Sequence, residues 1–119
     1  MFPIVLSSVV MVSAPVVAAA EQLEDEAIAH RLTALPTWRI EDSTLICTYQ
    51  FENFVESVAF VNQLVEPAEA AGHHPDVAIA YNRVTISLTT HDAGGLTDLD
   101  FDLAETIANL DNPSGDRCR

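Results

Sequence analysis

The chain has 119 residues, with 18 acidic side chains against five basic ones and a net charge of −13. Its length suits one domain with a modest core, and 49% of its residues are hydrophobic. So acidic a surface repels phosphate backbones and anionic lipids, which excludes nucleic acid and the membrane surface as expected partners.

Residues 1–20 are apolar and carry no charged side chain. They end in small residues, Val16 to Ala20, as the cleavage region of a signal peptide does, but they lack its basic first part. A cleaved leader, a loosely docked extension and a mis-assigned start with Met11 as the true initiator all remain open. We predict an extension over 1–21 outside the domain, a folded domain over 22–110 and a mobile tail over 111–119, in a protein located in the cytoplasm.

The first half of the domain reads as a helix, two strands and a second helix. Apolar periodicity predicts the first helix over Leu23 to Leu35, and strands follow at Trp38 to Ile40 and at Leu45 to Phe51. Asn53 opens the second helix with Glu56 as its capping-box partner. Pro67 lacks a backbone N–H, so this helix either kinks there or restarts before Glu69.

The second half begins with two strands of alternating apolar residues, from Val77 to Tyr81 and from Val84 to Leu88. A turn at Asn82-Arg83 pairs Val77 with Leu88 and, if continued, places His74 opposite His91. This register predicts a histidine cluster at the open end of the hairpin.

A third helix closes the domain, with Thr97 as its N-cap and Asp100 as an imperfect capping-box partner. The predicted order is α-β-β-α-β-β-α. The fold class is therefore α+β, a four-stranded antiparallel sheet with helices packed on one face.

The two cysteines, Cys47 in a predicted strand and Cys118 in the polar tail, do not suggest a disulfide framework. Pairing them would tie a mobile end to the sheet. We therefore predict two reduced thiols.

Three histidines at one hairpin mouth allow an ordinary polar rim, a metal site or an acid–base centre. Zinc is often held by three histidines and a water. However, His73 and His74 are adjacent, and neighbours on an extended strand point to opposite faces. We therefore predict no metal.

The residues around these histidines form an ordered set that strongly resembles the pterin-4a-carbinolamine dehydratases. The resemblance covers roughly residues 22–110. It rests on Glu69, His73-His74-Pro75-Asp76, Tyr81-Asn82, Val84, Leu88-Thr89-Thr90-His91-Asp92, Gly94-Gly95-Leu96-Thr97, Asp100 and Leu103-Ala104.

The resemblance implies a hydro-lyase that dehydrates 4a-hydroxytetrahydropterin (4a-hydroxytetrahydrobiopterin) to quinonoid dihydropterin, which belongs to tetrahydrobiopterin recycling. It implies no cofactor and no metal, the pterin being the substrate, and a homodimer or homotetramer. The alternative is a non-enzymatic dimerisation or assembly scaffold of the same fold. A pterin carbinolamine assay separates the two.

The resemblance also implies roles for individual residues. His73 and His91 would form the acid–base pair, and His74 would hold the substrate. Two departures from the family pattern concern Val77, where many relatives carry a large aromatic residue, and Gly72, where a polar residue is frequent. The remaining substrate-binding candidates are Pro75, Asp76, Thr90, Asp92 and Glu69.

Overall fold

The computed structural model describes residues 2–4, 8–9, 20–110 and 118, so most of the predicted extension and tail lie outside the described residues. In chain order the elements are α1 (Asp25–Leu32), β1 (Arg39–Glu41), β2 (Thr44–Gln50), α2 (Phe54–Gln63), α3 (Val65–Ala71), β3 (Asp76–Ala80), β4 (Arg83–Leu88), a 3-10 turn (His91–Ala93) and α4 (Asp98–Ala108). The four strands form one antiparallel sheet in the order β1-β2-β4-β3, which confirms the predicted fold class. Within the described part of the chain, no helix has the length and apolar character needed to cross a membrane.

The two central strands, β2 and β4, bury alternate residues on one face of the sheet. Cys47 and Ile86 are opposite each other in the ladder, so the buried positions of both strands point the same way. The helices pack on this face. The shared core includes Leu45, Cys47, Tyr49, Val84, Ile86 and Leu88 from the sheet and Phe60, Leu64, Phe101, Leu103 and Ile107 from the helices.

The second helix is two helices, because the chain breaks at Leu64 between α2 and α3. In a continuous helix Pro67 would clash with the carbonyl of Gln63 and leave it without a donor. α2 therefore ends at Gln63, and Pro67 falls in the first turn of α3, where no N–H is needed. Of the two predicted alternatives, a kink or a restart before Glu69, the structure shows the restart.

The first helix is shorter than predicted. The backbone N–H of Leu23 donates to the carbonyl of Leu96, at 2.8 Å, and this bond keeps the chain extended until α1 begins at Asp25. The preceding residue, Gln22, lies so close to Gly95 that a Cβ atom there would approach its side-chain nitrogen to 2.8 Å. The start of the domain is thus packed on the loop before α4.

Arg31 of α1 fastens this helix to α4. Its guanidinium is 2.9 Å from Asp98, 2.7 Å from Asp102 and 3.3 Å from Glu105, and it lies over the ring of Phe101 at 5.4 Å. One cation thus meets three of the helix's carboxylates. This arrangement links α1 to the side of α4 that carries these three acids.

The predicted hairpin register is wrong by two residues. β3 pairs Val77 with Ile86 and Ile79 with Val84, so the turn falls at Tyr81-Asn82. Asn82 is held in place by Phe51: its side chain donates to the Phe51 carbonyl at 3.0 Å, and its own carbonyl accepts from the Phe51 N–H at 2.7 Å. A shift of two residues still places apolar residues opposite apolar residues, but it does not place His74 opposite His91.

The prediction of two reduced thiols is also wrong. Cys47 and Cys118 form a disulfide, with their Cα atoms 5.4 Å apart. Cys118 is 2% exposed and its sulfur lies 3.3 Å from the hydroxyl of Thr37, so this cysteine is packed on the domain. The rest of the tail lies outside the described residues.

Buried Tyr49 predicts a loss of stability at high pH. Burial raises the pKa of its phenol to about 12, because the phenolate is poorly solvated there. Since this folded-state value exceeds the unfolded value of about 10, the neutral phenol stabilises the fold fully below pH 10. That contribution, about 2–3 kcal/mol, is lost as the pH rises through 12.

We therefore expect Tyr49→Phe to lose less unfolding free energy than the wild type between pH 9 and pH 12, as measured by urea unfolding. Tyr81→Phe is the matched control, because Tyr81 is 66% exposed. Identical pH profiles for Tyr49→Phe and the wild type would contradict the assignment.

Candidate active site

The end of α3 delivers two histidines through a tight turn. Gly72 adopts φ 60°, a left-handed conformation that glycine takes without steric cost. The N–H of Gly72 donates to the Glu69 carbonyl and that of His73 to the Ala68 carbonyl, both at 3.2 Å, as in a Schellman motif. Gly72, which replaces a polar residue of the family pattern, therefore has a local structural role. It ends α3 and directs the chain into His73-His74.

His73 points inward and contacts a buried carboxylate. Its Nε2 is 2.5 Å from Oδ1 of Asp100, whose side chain has no exposed surface, and the histidine side chain is itself only 11% exposed. A buried carboxylate is costly unless it is paired and hydrogen-bonded. This pair is thus the most constrained polar contact that the structure shows near the histidines.

The other oxygen of Asp100 receives two more hydrogen bonds. Oδ2 accepts from the hydroxyl of Thr90 at 2.8 Å and from the backbone N–H of Thr97 at 2.9 Å. The hydroxyls of Thr90 and Thr97 are 2.8 Å apart, and the N–H of Leu99 donates to the latter. Thr97 and Asp100 form the predicted capping box of α4, so the carboxylate both starts the helix and holds His73.

This network determines which nitrogen of His73 is free. A carboxylate only accepts hydrogen bonds, so the Nε2 of His73 must carry the hydrogen that lies between it and Asp100. When the ring is neutral, its remaining lone pair is then on Nδ1. With Asp100 ionised, neutral His73 therefore has a defined tautomer, with its lone pair on Nδ1.

Sequence reasoning missed this role of Asp100, which it treated only as a helix cap. One signal was present: an aspartate at the third helical position, where the capping box normally has glutamate or glutamine. A shorter acid at that position keeps its carboxylate close to the backbone. The same placement brings the carboxylate within reach of His73.

His91 lies on the segment that the network secures. It directly follows Thr90, which is buried and bonded both to Asp100 and to the carbonyl of Gly95 through its backbone N–H, at 3.2 Å. His91 and Asp92 begin the 3-10 turn and are both exposed. The segment bearing His91 is thus linked to His73 through Thr90 and Asp100, not through the strand ladder.

His74 faces the other way and is mostly exposed. Its Nε2 is 2.7 Å from Oε1 of Glu69, one turn back on α3, and its side chain is 62% exposed. Both residues line a small apolar groove of about 180 Å³ between the α2–α3 pair and β3. The other lining residues are Val61, Leu64, Val65, Ala68, Pro75 and Val77.

The remaining predicted site residues, Pro75 and Asp76, directly follow the two histidines in the chain. Pro75 is half-buried at the groove, and Asp76 is the exposed first residue of β3, paired with Ser87. Among the residues that the structure describes, no three His, Cys, Asp or Glu side chains are grouped so that they could hold a metal ion.

The geometry defines a small α+β domain with an imidazole–carboxylate pair suited to proton transfer. The family model described as pterin 4 alpha carbinolamine dehydratase matches residues 21–110. The chain therefore belongs to the pterin-4a-carbinolamine dehydratase family, as the resemblance predicted.

Individual relatives match along almost their whole length. A protein of Nostoc sp., named provisionally as a pterin-4-alpha-carbinolamine dehydratase, is 54% identical over 91 residues, which cover 76% of this chain and 98% of the relative. A protein of the same name from Acidobacterium capsulatum is 52% identical over 89 residues, 75% of this chain and 97% of the relative. The crystal structure of a transcriptional coactivator/pterin dehydratase from Brucella melitensis is similar with a TM-score of 0.69 and 31% identity, over 73% of this chain and 95% of that one.

Proposed function

We propose that this protein dehydrates 4a-hydroxytetrahydropterin to quinonoid dihydropterin by histidine acid–base catalysis. The observation that carries the proposal is the contact between His73 and the buried carboxylate of Asp100, which is tied through Thr90 to the segment bearing His91. Membership of the family supports the substrate class.

The reaction needs one proton given and one proton taken. The C4a–O bond breaks more easily when the hydroxyl is protonated and leaves as water, while a ring nitrogen loses a proton. Imidazole, with an unperturbed pKa of about 6.5, suits both tasks near neutral pH. His73 would exchange its proton at Nδ1, because Nε2 is committed to Asp100, and His91 would serve the opposite step.

Asp100 acts in this proposal as a positioning residue. It fixes the orientation and tautomer of His73 without touching the substrate, as the carboxylate of a catalytic triad does for its histidine. Its burial removes competition from water for the bond to Nε2.

His74 is proposed to bind the pterin together with Glu69, at the rim of the apolar groove. Replacing His74 by Ala should therefore raise KM about tenfold, the effect of losing about 1.4 kcal/mol of binding, while the turnover rate changes little. His30→Ala is the matched control, since His30 is an exposed histidine on α1. If His74→Ala instead slowed turnover by roughly two orders of magnitude and left KM unchanged, His74 would belong to the proton-transfer step.

A second copy of the chain is the proposed protein partner, in a homodimer or homotetramer. β3 lies at the edge of the sheet, and two of its apolar side chains that face the helical side are exposed: 37% for Val77 and 40% for Ile79. Exposed apolar edge strands invite pairing with another chain. Light scattering after size exclusion measures the mass directly.

The test of the function is the rate of dehydration of a freshly generated pterin carbinolamine, measured above the spontaneous rate. A clear acceleration that survives chelation supports a metal-independent dehydratase. If an intact oligomer gives no acceleration, the scaffold alternative takes its place.

A further inference from the structure

A covalent bond joins the middle of the sheet to a cysteine outside the segment that this chain shares with its family. Cys47 is in β2 and has no exposed surface. Cys118 lies eight residues beyond residue 110, where the match to the family model ends. The Cα separation of 5.4 Å is within the range of about 4.4–6.8 Å that disulfides span. The disulfide therefore adds to the family domain a closure that the matched segment alone does not contain.

The disulfide is built into the core. Both cysteines belong to the same buried cluster as Trp38, and the Cys118 sulfur lies against Thr37, in the connection between α1 and β1. The bond closes a loop between residues 71 positions apart, so it restricts the unfolded chain strongly. A cross-link of this span stabilises a domain, and its loss lowers the melting temperature by on the order of 10 °C.

Such a bond indicates where the protein resides. Disulfides form and persist in oxidising compartments and are rare in the cytosol, where thiols are kept reduced. Forming this one transfers two electrons and two protons from the two thiols to the disulfide of a thiol oxidant, which leaves as a dithiol. Compartments that receive exported proteins supply such oxidants.

The sequence before the domain points the same way by a separate route. Residues 1–20 are apolar and end in Ala18-Ala19-Ala20, the small-residue pattern at which leaders are cut, although they lack the basic first part of a typical leader. The family match begins at the next residue, Glu21. Cleavage after Ala20 would thus release the family domain intact.

We propose that this protein is exported: residues 1–20 direct export and are removed after Ala20, and the Cys47–Cys118 disulfide forms in the oxidising compartment that receives residues 21–119. This location differs from the cytoplasmic one expected from the sequence. It does not depend on the reaction proposed above.

The export is tested with the full-length chain in a Gram-negative bacterial host. Cytosolic and periplasmic fractions are denatured and alkylated without reductant, so that the reagent reaches the buried positions of both cysteines, and the intact mass of the protein is measured. The expected result is a periplasmic protein that begins at Glu21 and takes up no alkylating reagent. A variant with Ala18→Phe and Ala20→Phe should keep its first 20 residues. A cytosolic protein, an uncut periplasmic one or a periplasmic one with two alkylated cysteines would overturn the proposal.

The stabilising role of the bond has its own readout. Reductant should lower the melting temperature of the purified wild type by on the order of 10 °C. Cys118→Ser should already melt at the lower temperature, and reductant should not change it further. If the fully reduced wild type had the same melting temperature as the oxidised protein, the disulfide would not stabilise the domain as proposed here.

Discussion

Replacing His73 or His91 by Ala should lower kcat by about 100- to 10,000-fold, because a positioned general acid or base typically contributes that much. KM should change little, since neither side chain is assigned to substrate binding. The measurement is steady-state dehydration of a pterin carbinolamine, corrected for the spontaneous reaction. His30→Ala should match the wild type.

His73→Ala carries a structural risk that His91→Ala does not. It removes a hydrogen-bond donor from the buried carboxylate of Asp100, which costs about 1–3 kcal/mol of stability. His73→Gln provides a second variant, because its amide N–H can still donate to Asp100 while the ring is absent. A folded His73→Gln protein with wild-type kcat would contradict a proton-transfer role for His73.

Asp100→Asn should lower kcat by a comparable factor, about 100- to 10,000-fold, although this residue touches no substrate. The amide oxygen can replace Oδ2 and keep the bonds from Thr90 and Thr97. The amide N–H would then face His73 and require its Nε2 to accept, which moves the ring hydrogen to Nδ1. The nitrogen proposed to exchange the proton would thus lose its lone pair.

This positioning role is distinguished from a merely structural one by the way the kinetics change. The variant should keep its KM and show a lower kcat and a shifted pH dependence of kcat. Its free energy of unfolding should fall by only about 1–3 kcal/mol. Asp98→Asn is the matched control, an exposed acid in the same turn of α4, and its effect on stability should be no more than about 1 kcal/mol. Wild-type kcat and pH dependence in folded Asp100→Asn would contradict the tautomer argument.

The fold was predictable because local patterns agree with one another. Alternating apolar residues defined the inner strands, and Thr97 and Asn53 marked the starts of their helices, as the structure bears out. Pro67 predicted an interruption of the second helix, as a kink or as a restart, because its missing N–H does not fit a continuous helix.

The errors in the hairpin register and in the cysteines arose where contacts between residues distant in sequence determine the structure. The hairpin turn falls at Tyr81, with φ 54°, because Asn82 is bonded to Phe51, the residue that follows β2. A tyrosine gives no local signal for a left-handed conformation. The disulfide was missed for the same kind of reason: the sequence does not show that Cys118 returns to β2.

The sequence indicated candidate site residues, and it did not indicate the contacts that connect them. The histidines were identified, but the ladder that was expected to bring His74 opposite His91 does not do so. Asp100 organises the site instead, and its local role as a helix cap concealed its contact with His73. A residue such as Asp100, which both caps a helix and contacts His73, is hard to recognise from sequence, because the cap alone already explains an aspartate at that position.

The most direct test of the central claim is the rate of carbinolamine dehydration by a folded His73→Ala, His91→Ala double variant. Wild-type protein should accelerate the reaction clearly above its spontaneous rate, and the double variant should lose most of that acceleration. The combined loss should fall well short of the product of the two single losses, because the two residues act as a unit. Wild-type catalysis by the folded double variant would contradict the account.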